Sequence, residues 1–137
     1  LDELGMSLSE VINVASLIEK EAANDSERPV IASVIYNRLN YDTPLGIDAS
    51  VLYPYPEHEG APTAEMLAKD DPYNTRIKLG LPPTPIANPG MASIRAALKP
   101  ASTDYLFYAL DTETGTHRFF SNYSDHQAFV ATQNYGN

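Results

Sequence analysis

The residues best suited to acid–base chemistry in this sequence are two glutamates near the end of a predicted helix. Glu19 and Glu21 flank a single lysine, and a carboxyl group held on a buried helix can stay protonated near neutral pH and act as a general acid. At about 100° per residue, Glu19 falls within about 40° of Ile12 and Ala15, at one border of the apolar arc. Glu21 falls at the opposite border, aligned with Val14, so helical periodicity does not choose between the two. Either glutamate could instead be a solvated or ion-paired surface acid.

Other catalytic chemistries find little support in the residue types. The three histidines, His58, His117 and His126, are far apart and form none of the close pairs of a zinc site. The absence of cysteine excludes thiolate catalysis and disulfides. There is neither a Gly-x-Ser-x-Gly motif nor a glycine-rich phosphate loop. We therefore predict no metal and no cofactor, and we expect His117 or His126 to line the far side of a cleft.

The composition predicts one acidic domain. Its 137 residues carry a net charge of -9, which disfavours a nucleic-acid partner because phosphate backbones are repelled. This length suits a single hydrophobic core over residues 1–137, and no run of about 20 apolar residues predicts a membrane span. Because the helical pattern begins almost at Leu1, we expect the chain to be an excised part of a longer protein.

Helical periodicity predicts a first helix that packs beside a second. Ser7 and Glu10 form a capping-box pattern before the first helix. The predicted helices span residues 8–23, 26–39, 88–97 and 124–133, with Asn88 as the N-cap of the third. The polar stripe of the first helix consists of Ser9, Asn13, Ser16 and Lys20. Because this stripe is narrow, most of the helix should be buried.

The middle of the chain, residues 40–90, is predicted to be a long irregular connection. It is rich in proline, with helical turns near residues 48–53 and 63–69, and so long a connection usually carries function. Further on, residues 105–110 and 116–120 flank a turn that contains Gly115 and predict a β-hairpin. Helices together with a small antiparallel sheet define an α+β fold.

Several blocks of the sequence resemble, in order, those of the YceG-like family of endolytic transglycosylases. The blocks are residues 15–22 (ASLIEKEA), 34–39 (VIYNRL), 45–53 (LGIDASVLY), 73–75 (YNT), 80–90 (GLPPTPIANPG), 93–98 (SIRAAL), 105–108 (YLFY) and 117–119 (HRF). The block of residues 45–53 departs from the family pattern, which usually has Gln and Pro where this chain has Gly46 and Ala49. The resemblance extends over about residues 10–126 and implies a lysozyme-like catalytic domain.

The resemblance also implies roles for particular residues. Glu19 is the implied catalytic acid, and Glu21 is the alternative within the same Glu-Lys-Glu triplet. Asn88 could instead cap a helix, and Tyr73 and Asn74 could instead brace their loop. The implied substrate-binding residues are Glu21, Asp48, Tyr73, Asn74, Thr75, Asn88 and His117.

The implied reaction is cleavage of the bond between N-acetylmuramic acid and N-acetylglucosamine in peptidoglycan. One carboxyl group protonates the leaving oxygen and then accepts the proton of the muramic acid C6 hydroxyl, which closes on C1 to give a 1,6-anhydro end. We expect Glu19 to begin protonated, because an apolar helix border disfavours the charged form.

Three alternatives to this reaction stay open or are disfavoured. One is a non-catalytic glycan-binding or scaffold module of the cell-wall machinery, and another is a water-using muramidase in which Asp48 assists. Such sequences have also been labelled aminodeoxychorismate lyase, a pyridoxal-phosphate activity. That label is disfavoured because no glycine-rich phosphate loop accompanies a lysine that could form a Schiff base.

The resemblance finally implies a cellular setting. Complete family members resemble bacterial proteins with one N-terminal transmembrane helix and a small LysM-like subdomain before the catalytic part. We therefore expect a protein anchored in the cell membrane, with this domain facing the periplasm or the cell wall. Peptidoglycan glycan strands are the implied substrate, and a role alongside peptidoglycan synthases is implied as well.

Overall fold

The computed structural model describes residues 5–135 and has an α+β architecture. In chain order the elements are α1 Leu8–Glu21, a 3-10 turn Asp25–Glu27, α2 Arg28–Asn40, α3 Asp48–Val51, α4 Ala64–Ala68, α5 Met91–Leu98, β1 Phe107–Asp111, β2 Thr116–Phe120 and α6 Tyr123–Val130. The two strands form an antiparallel hairpin against which α6 packs. The predicted fold class is confirmed.

Helix α1 lies at the centre of the core. The side chains of Ser7 and Glu10 accept hydrogen bonds from each other's backbone N–H groups, which confirms the predicted capping box. The buried side chains of α1 pack with those of α2 and α5. The largest buried side chains of α1 and α2 are Val11, Val14, Leu17, Ile18, Ile31, Val34 and Ile35. Because α1 is packed on several sides, side chains at its end start from a fixed backbone.

The predicted polar stripe of α1 is wrong at two of its four positions. Asn13 and Ser16 are buried, because the proline-rich segment 82–90 lies against this face of the helix. Asn13 Nδ2 donates to the carbonyl of Pro82 at 2.8 Å, and Ser16 Oγ accepts from the N–H of Ile86 at 3.0 Å. These polar side chains therefore hold the segment on the helix instead of facing solvent.

The start of α5 also differs from the prediction. Its N-cap is Gly90, which has no side chain to cap the helix. The prediction of Asn88 as N-cap is therefore wrong. The carboxylate of Glu19 on α1 takes this part, because its Oε1 accepts from the N–H of Gly90 and from the hydroxyl of Ser93. A contact distant in sequence thus replaces the local cap.

Other boundaries shift by a few residues. Helix α1 ends at Glu21 because Ala22 has an extended backbone, and α2 begins at Arg28 after the 3-10 turn. Strand β1 begins at Phe107, two residues later than predicted, and Tyr108 pairs with Phe119 across the hairpin. This register places Tyr108 where the hairpin meets the end of α1.

Candidate active site

Glu21, the last residue of α1, lines a cleft of about 240 Å³. The hydroxyl of Tyr108 on strand β1 donates to Oε1 of Glu21 at 2.6 Å. The other residues that line the cleft are Arg38, Leu45, Gly46, Asp48, Arg76 and His126. The cleft therefore gathers one partly buried carboxyl group with charged groups from α2 and from the irregular connection, and with a histidine from α6.

The surroundings of Glu21 favour its protonated form. Burial raises the pKa of Glu21 above its ordinary value of 4.5, although the Tyr108 hydroxyl and the charge of His117 lower it in part. Withdrawal from water penalises a carboxylate more than a neutral carboxyl group. A carboxyl group that keeps its proton to higher pH is suited to general acid catalysis.

The surroundings of Glu19 favour its ionised form. Its Oε1 accepts from the N–H of Gly90 at 2.8 Å and from the hydroxyl of Ser93 at 3.0 Å, and Nη1 of Arg28 lies 3.8 Å away. The Gly90 N–H, the Ser93 hydroxyl and the Arg28 charge together lower the pKa of Glu19, although burial opposes them. The expectation that Glu19 begins protonated is therefore wrong, because these groups stabilise its charge.

Asp48 and Arg76 form an ion pair on the wall of the cleft. Nη2 of Arg76 donates to Oδ1 of Asp48 at 2.9 Å, and both side chains are about half exposed. Asp48 is the first residue of α3, so α3 sets the position of its carboxylate. Asp48 thus shares a cleft with Glu21, and its contact with a sugar stays a prediction.

Asn74 and Thr75 hold the loops that carry this ion pair. Thr75 Oγ1 accepts from the N–H of Ile47 and donates to its carbonyl, while the Thr75 carbonyl accepts from the N–H of Gly46. Asn74 Nδ2 donates to three carbonyls at the end of α4. Both residues are only 1% exposed. The geometry supports positioning roles for them, and direct sugar contact by either stays a prediction.

Three further residues predicted to bind substrate are not among the cleft-lining residues. Tyr73 packs on Tyr53 with ring centroids 4.9 Å apart, and Asn88 is exposed in the proline-rich segment. His117 Nδ1 lies 2.8 Å from Oε1 of Glu27, and its side chain is mostly buried. Their roles in substrate binding stay predictions.

Sequence reasoning missed Tyr108, Arg38 and Arg76 as cleft residues. Tyr108 lies in a matching sequence block, but strand alternation alone does not tell which face meets α1. Arg38 lies on α2 and Arg76 in the irregular connection. Only the path of that connection through space brings both side chains to the cleft. His126 does line the cleft, as expected for one of two histidines. Burial lowers the pKa of His126, which favours its neutral form.

In the part of the chain that the structure describes, no cluster of three His, Cys, Asp or Glu side chains could hold a metal ion. None of the helices within residues 5–135 combines the length and the hydropathy needed to cross a membrane.

Known proteins resemble this chain in both sequence and structure. The model of the YceG-like family matches residues 1–132. A protein from Bacillus subtilis (strain 168), named endolytic murein transglycosylase, is 47% identical over 103 residues, which cover 75% of this chain and 29% of the relative. A protein of the same name from Streptococcus pneumoniae (strain D39) is 34% identical over 131 residues, covering 92% and 24%. The chain therefore spans less than a third of the length of these relatives.

A solved structure has the same fold. The crystal structure of a yceG-like protein from Listeria monocytogenes matches with a TM-score of 0.87 at 42% sequence identity. The match covers 94% of this chain and 42% of that chain. The arrangement of helices around the hairpin is therefore common to both proteins.

Proposed function

This chain belongs to the YceG-like family, and we propose that it is the catalytic part of an endolytic transglycosylase that cuts peptidoglycan glycan strands. One observation carries the proposal: Glu21 is a partly buried carboxyl group with a raised pKa in an open cleft. The relatives named endolytic murein transglycosylase support the reaction class. We assign the catalytic role to Glu21 instead of Glu19, because the bonds to Gly90 and Ser93 keep Glu19 ionised.

In the proposed reaction Glu21 serves first as acid and then as base. Its carboxyl proton passes to the glycosidic oxygen while the bond from that oxygen to C1 of N-acetylmuramic acid breaks. The C6 hydroxyl oxygen of the same sugar then bonds C1, and its proton returns to Glu21. The internal nucleophile supplies by proximity what a hydrolase obtains from a bound water. The products are a 1,6-anhydro end and a free N-acetylglucosamine hydroxyl.

Neighbouring side chains support this cycle. The Tyr108 hydroxyl bonds Oε1 of Glu21, so Oε2, which no described residue bonds, is free to carry the proton. The Asp48 carboxylate in the same cleft would stabilise the positive charge that develops on the sugar ring. Glu19 has a structural role in this scheme, since it holds the start of α5 on α1.

The test is digestion of uncrosslinked glycan strands by the chain and by its Glu21→Gln variant, with mass spectrometry of the products. Internal cuts with 1,6-anhydro ends are expected from the native chain. The variant should lose at least about 100-fold in rate, because general acid–base catalysis contributes at least that much. Both functions of the carboxyl group are removed by one atom change, while the bond from Tyr108 can still be accepted.

Glu19→Gln is the matched control, two residues away on the same helix. Its amide oxygen can still accept from Gly90 and Ser93, so most of the activity should remain. Loss of activity in Glu19→Gln with retention in Glu21→Gln would reverse the assignment. Reducing ends instead of anhydro ends would point to a muramidase that uses water and Asp48. Strands left uncut by the native chain would favour a glycan-binding or scaffold module.

The cellular setting belongs to the same proposal. In the complete protein this domain would be tethered to the cell membrane and would face the periplasm or the cell wall, where its substrate lies. Peptidoglycan synthases are the proposed neighbours, since an endolytic cut sets the length of strands that such enzymes make. Co-purification of the complete protein with a synthase from detergent extracts would test this part.

A further inference from the structure

Arg38 carries a charge that no carboxylate within residues 5–135 neutralises by an ion pair. Its Nε donates to the carbonyl of Leu106 at 2.6 Å, and its Nη1 donates to the carbonyls of Pro44 and Leu45 at 2.7 and 3.3 Å. The ring of Phe107 lies 5.1 Å from the guanidinium carbon. All these partners are neutral. A guanidinium group withdrawn from water without a counter-ion costs free energy.

Arg76 adds a second guanidinium group at the same place. Its Nη2 donates to Asp48, while its Nε and Nη1 have no hydrogen-bond partner among the described residues. A Cβ atom built on Gly46 would lie 3.5 Å from Nη1 of Arg38 and 3.7 Å from Nη1 of Arg76. Gly46 has a φ of +63°, which favours glycine. The two cations therefore flank one point of the cleft that no side chain fills.

The charges of the cleft contrast with those of the whole chain. When Glu21 holds its proton, the cleft lining has two guanidinium groups against the single carboxylate of Asp48. The chain as a whole has a net charge of -9. A locally positive cleft in a negative molecule attracts an anion, and the planar fork of a guanidinium group matches a carboxylate.

We propose that Arg38 and Arg76, on either side of Gly46, bind a carboxylate of the glycan substrate beside the bond that is cut. The inference rests on the proposed function and names the feature of the substrate that this cleft selects. Two parts of peptidoglycan carry such a group. One is the lactyl carboxylate of muramic acid in strands without stem peptides, and the other is a carboxylate of the stem peptide.

Binding to the inactive Glu21→Gln chain, measured by isothermal titration calorimetry, tests the subsite apart from catalysis. The probes are amidase-stripped glycan strands, and the same strands after their lactyl carboxylates have been converted to methylamides. Neutralisation should weaken binding about tenfold, the order expected for a charge-assisted hydrogen bond. In a chain that also carries Arg76→Gln, the difference between the two probes should largely disappear, whereas Arg76→Lys should keep part of it.

Arg118→Gln is the matched control. Arg118 also forms an ion pair through an exposed side chain, with Asp111 at 3.3 Å, but it is not among the residues that line the cleft. The Arg118→Gln variant should still bind neutralised strands about as much more weakly than native strands as the chain with Arg118 does. The proposal is overturned if binding depends on Arg76 neither for stripped strands nor for peptide-bearing strands, if Arg118→Gln weakens binding as much as Arg76→Gln does, or if no strand binds.

Strands with intact stem peptides distinguish the two sources of the carboxylate. If Arg76 affects the binding of stripped strands but not of peptide-bearing strands, the bound carboxylate is the lactyl group. If it affects the binding of peptide-bearing strands but not of stripped strands, the bound carboxylate belongs to the stem peptide. Failure of the proposed subsite can also be distinguished from failure of the proposed function. Anhydro ends from the native chain, together with binding that does not depend on Arg76 for either kind of strand, would overturn the subsite and keep the proposed function. Binding that depends on Arg76, without anhydro ends from the native chain, would do the reverse.

Discussion

Glu19 and Glu21 lie two residues apart on one helix and differ in the groups that surround them. Glu19 Oε1 receives an N–H and a hydroxyl group and lies near Arg28. Glu21 Oε1 receives only the hydroxyl of Tyr108 and is otherwise withdrawn from water. The pKa of the first is lowered and that of the second is raised. The same chemical group is therefore a structural anion at one position and a candidate acid at the other.

Glu21→Gln is expected to raise the melting temperature by a few degrees near pH 7. Burial raises the pKa of Glu21 above 4.5, so the folded chain binds this proton more tightly than the unfolded chain does. Ionised Glu21 therefore destabilises the fold above its folded pKa, and the penalty vanishes as the pH falls below 4.5. Thermal unfolding followed by circular dichroism between about pH 7 and pH 4 should show the gain shrinking with falling pH.

Glu19→Gln gives the opposite sign and serves as the control. The pKa of Glu19 is lowered from 4.5, so ionised Glu19 stabilises the fold above the unfolded pKa, and this stability is lost as the pH falls through the folded pKa. The variant should melt below the native chain near pH 7 and approach it in acid. Equal destabilisation by both variants at every pH would contradict the electrostatic contrast.

Helix α1 acts as the support for the proline-rich segment. Asn13, Ser16 and Glu19, each three residues apart, bond Pro82, Ile86 and Gly90, each four residues apart. Residues at this helical spacing share a face, so the segment runs along the helix. The polarity of Asn13 and Ser16 predicts a solvent-facing stripe. Polar side chains face the protein interior, however, where buried backbone groups need hydrogen-bond partners.

Ser16→Ala tests this support at the scale of the element. It leaves the buried N–H of Ile86 without its acceptor, which should cost about 1–3 kcal/mol of unfolding free energy. Ser9→Ala makes the same change on the exposed face of the same helix and should change stability by less than about 0.5 kcal/mol. Urea unfolding measures both, and similar losses in the two variants would refute a specific tether.

The hairpin is joined to the helical part through Glu27. Glu27 accepts from the backbone N–H and from Nδ1 of His117, and also from the N–H of Ala23. Because Tyr108 lies on the other strand of the same hairpin, this junction also sets the position of the hydroxyl group that bonds Glu21. The carboxylate of Glu27 therefore contributes to core stability and to the geometry of the cleft.

Glu27→Ala should lower both stability and activity of the whole molecule. Two backbone N–H groups, those of Ala23 and His117, lose their acceptor, at a cost of about 3 kcal/mol. Catalytic rate at a temperature where the variant is folded should also fall, since Tyr108 is displaced. Glu113→Ala, in the exposed hairpin turn, should alter neither the urea midpoint nor the rate. An unchanged rate in folded Glu27→Ala would separate the hairpin from catalysis.

The sequence by itself determined the α+β class, the order of the helices and the hairpin, and the pair of glutamates that could act as acid. These features follow from periodicity, capping residues and turn residues, which act over a few positions. The opposite directions of the pKa shifts of Glu19 and Glu21 depend on the tertiary structure alone. The groups that hydrogen-bond the two carboxylates come from positions 71 residues away at Gly90, 74 at Ser93 and 87 at Tyr108, and no local pattern tells which of them arrives at which carboxylate.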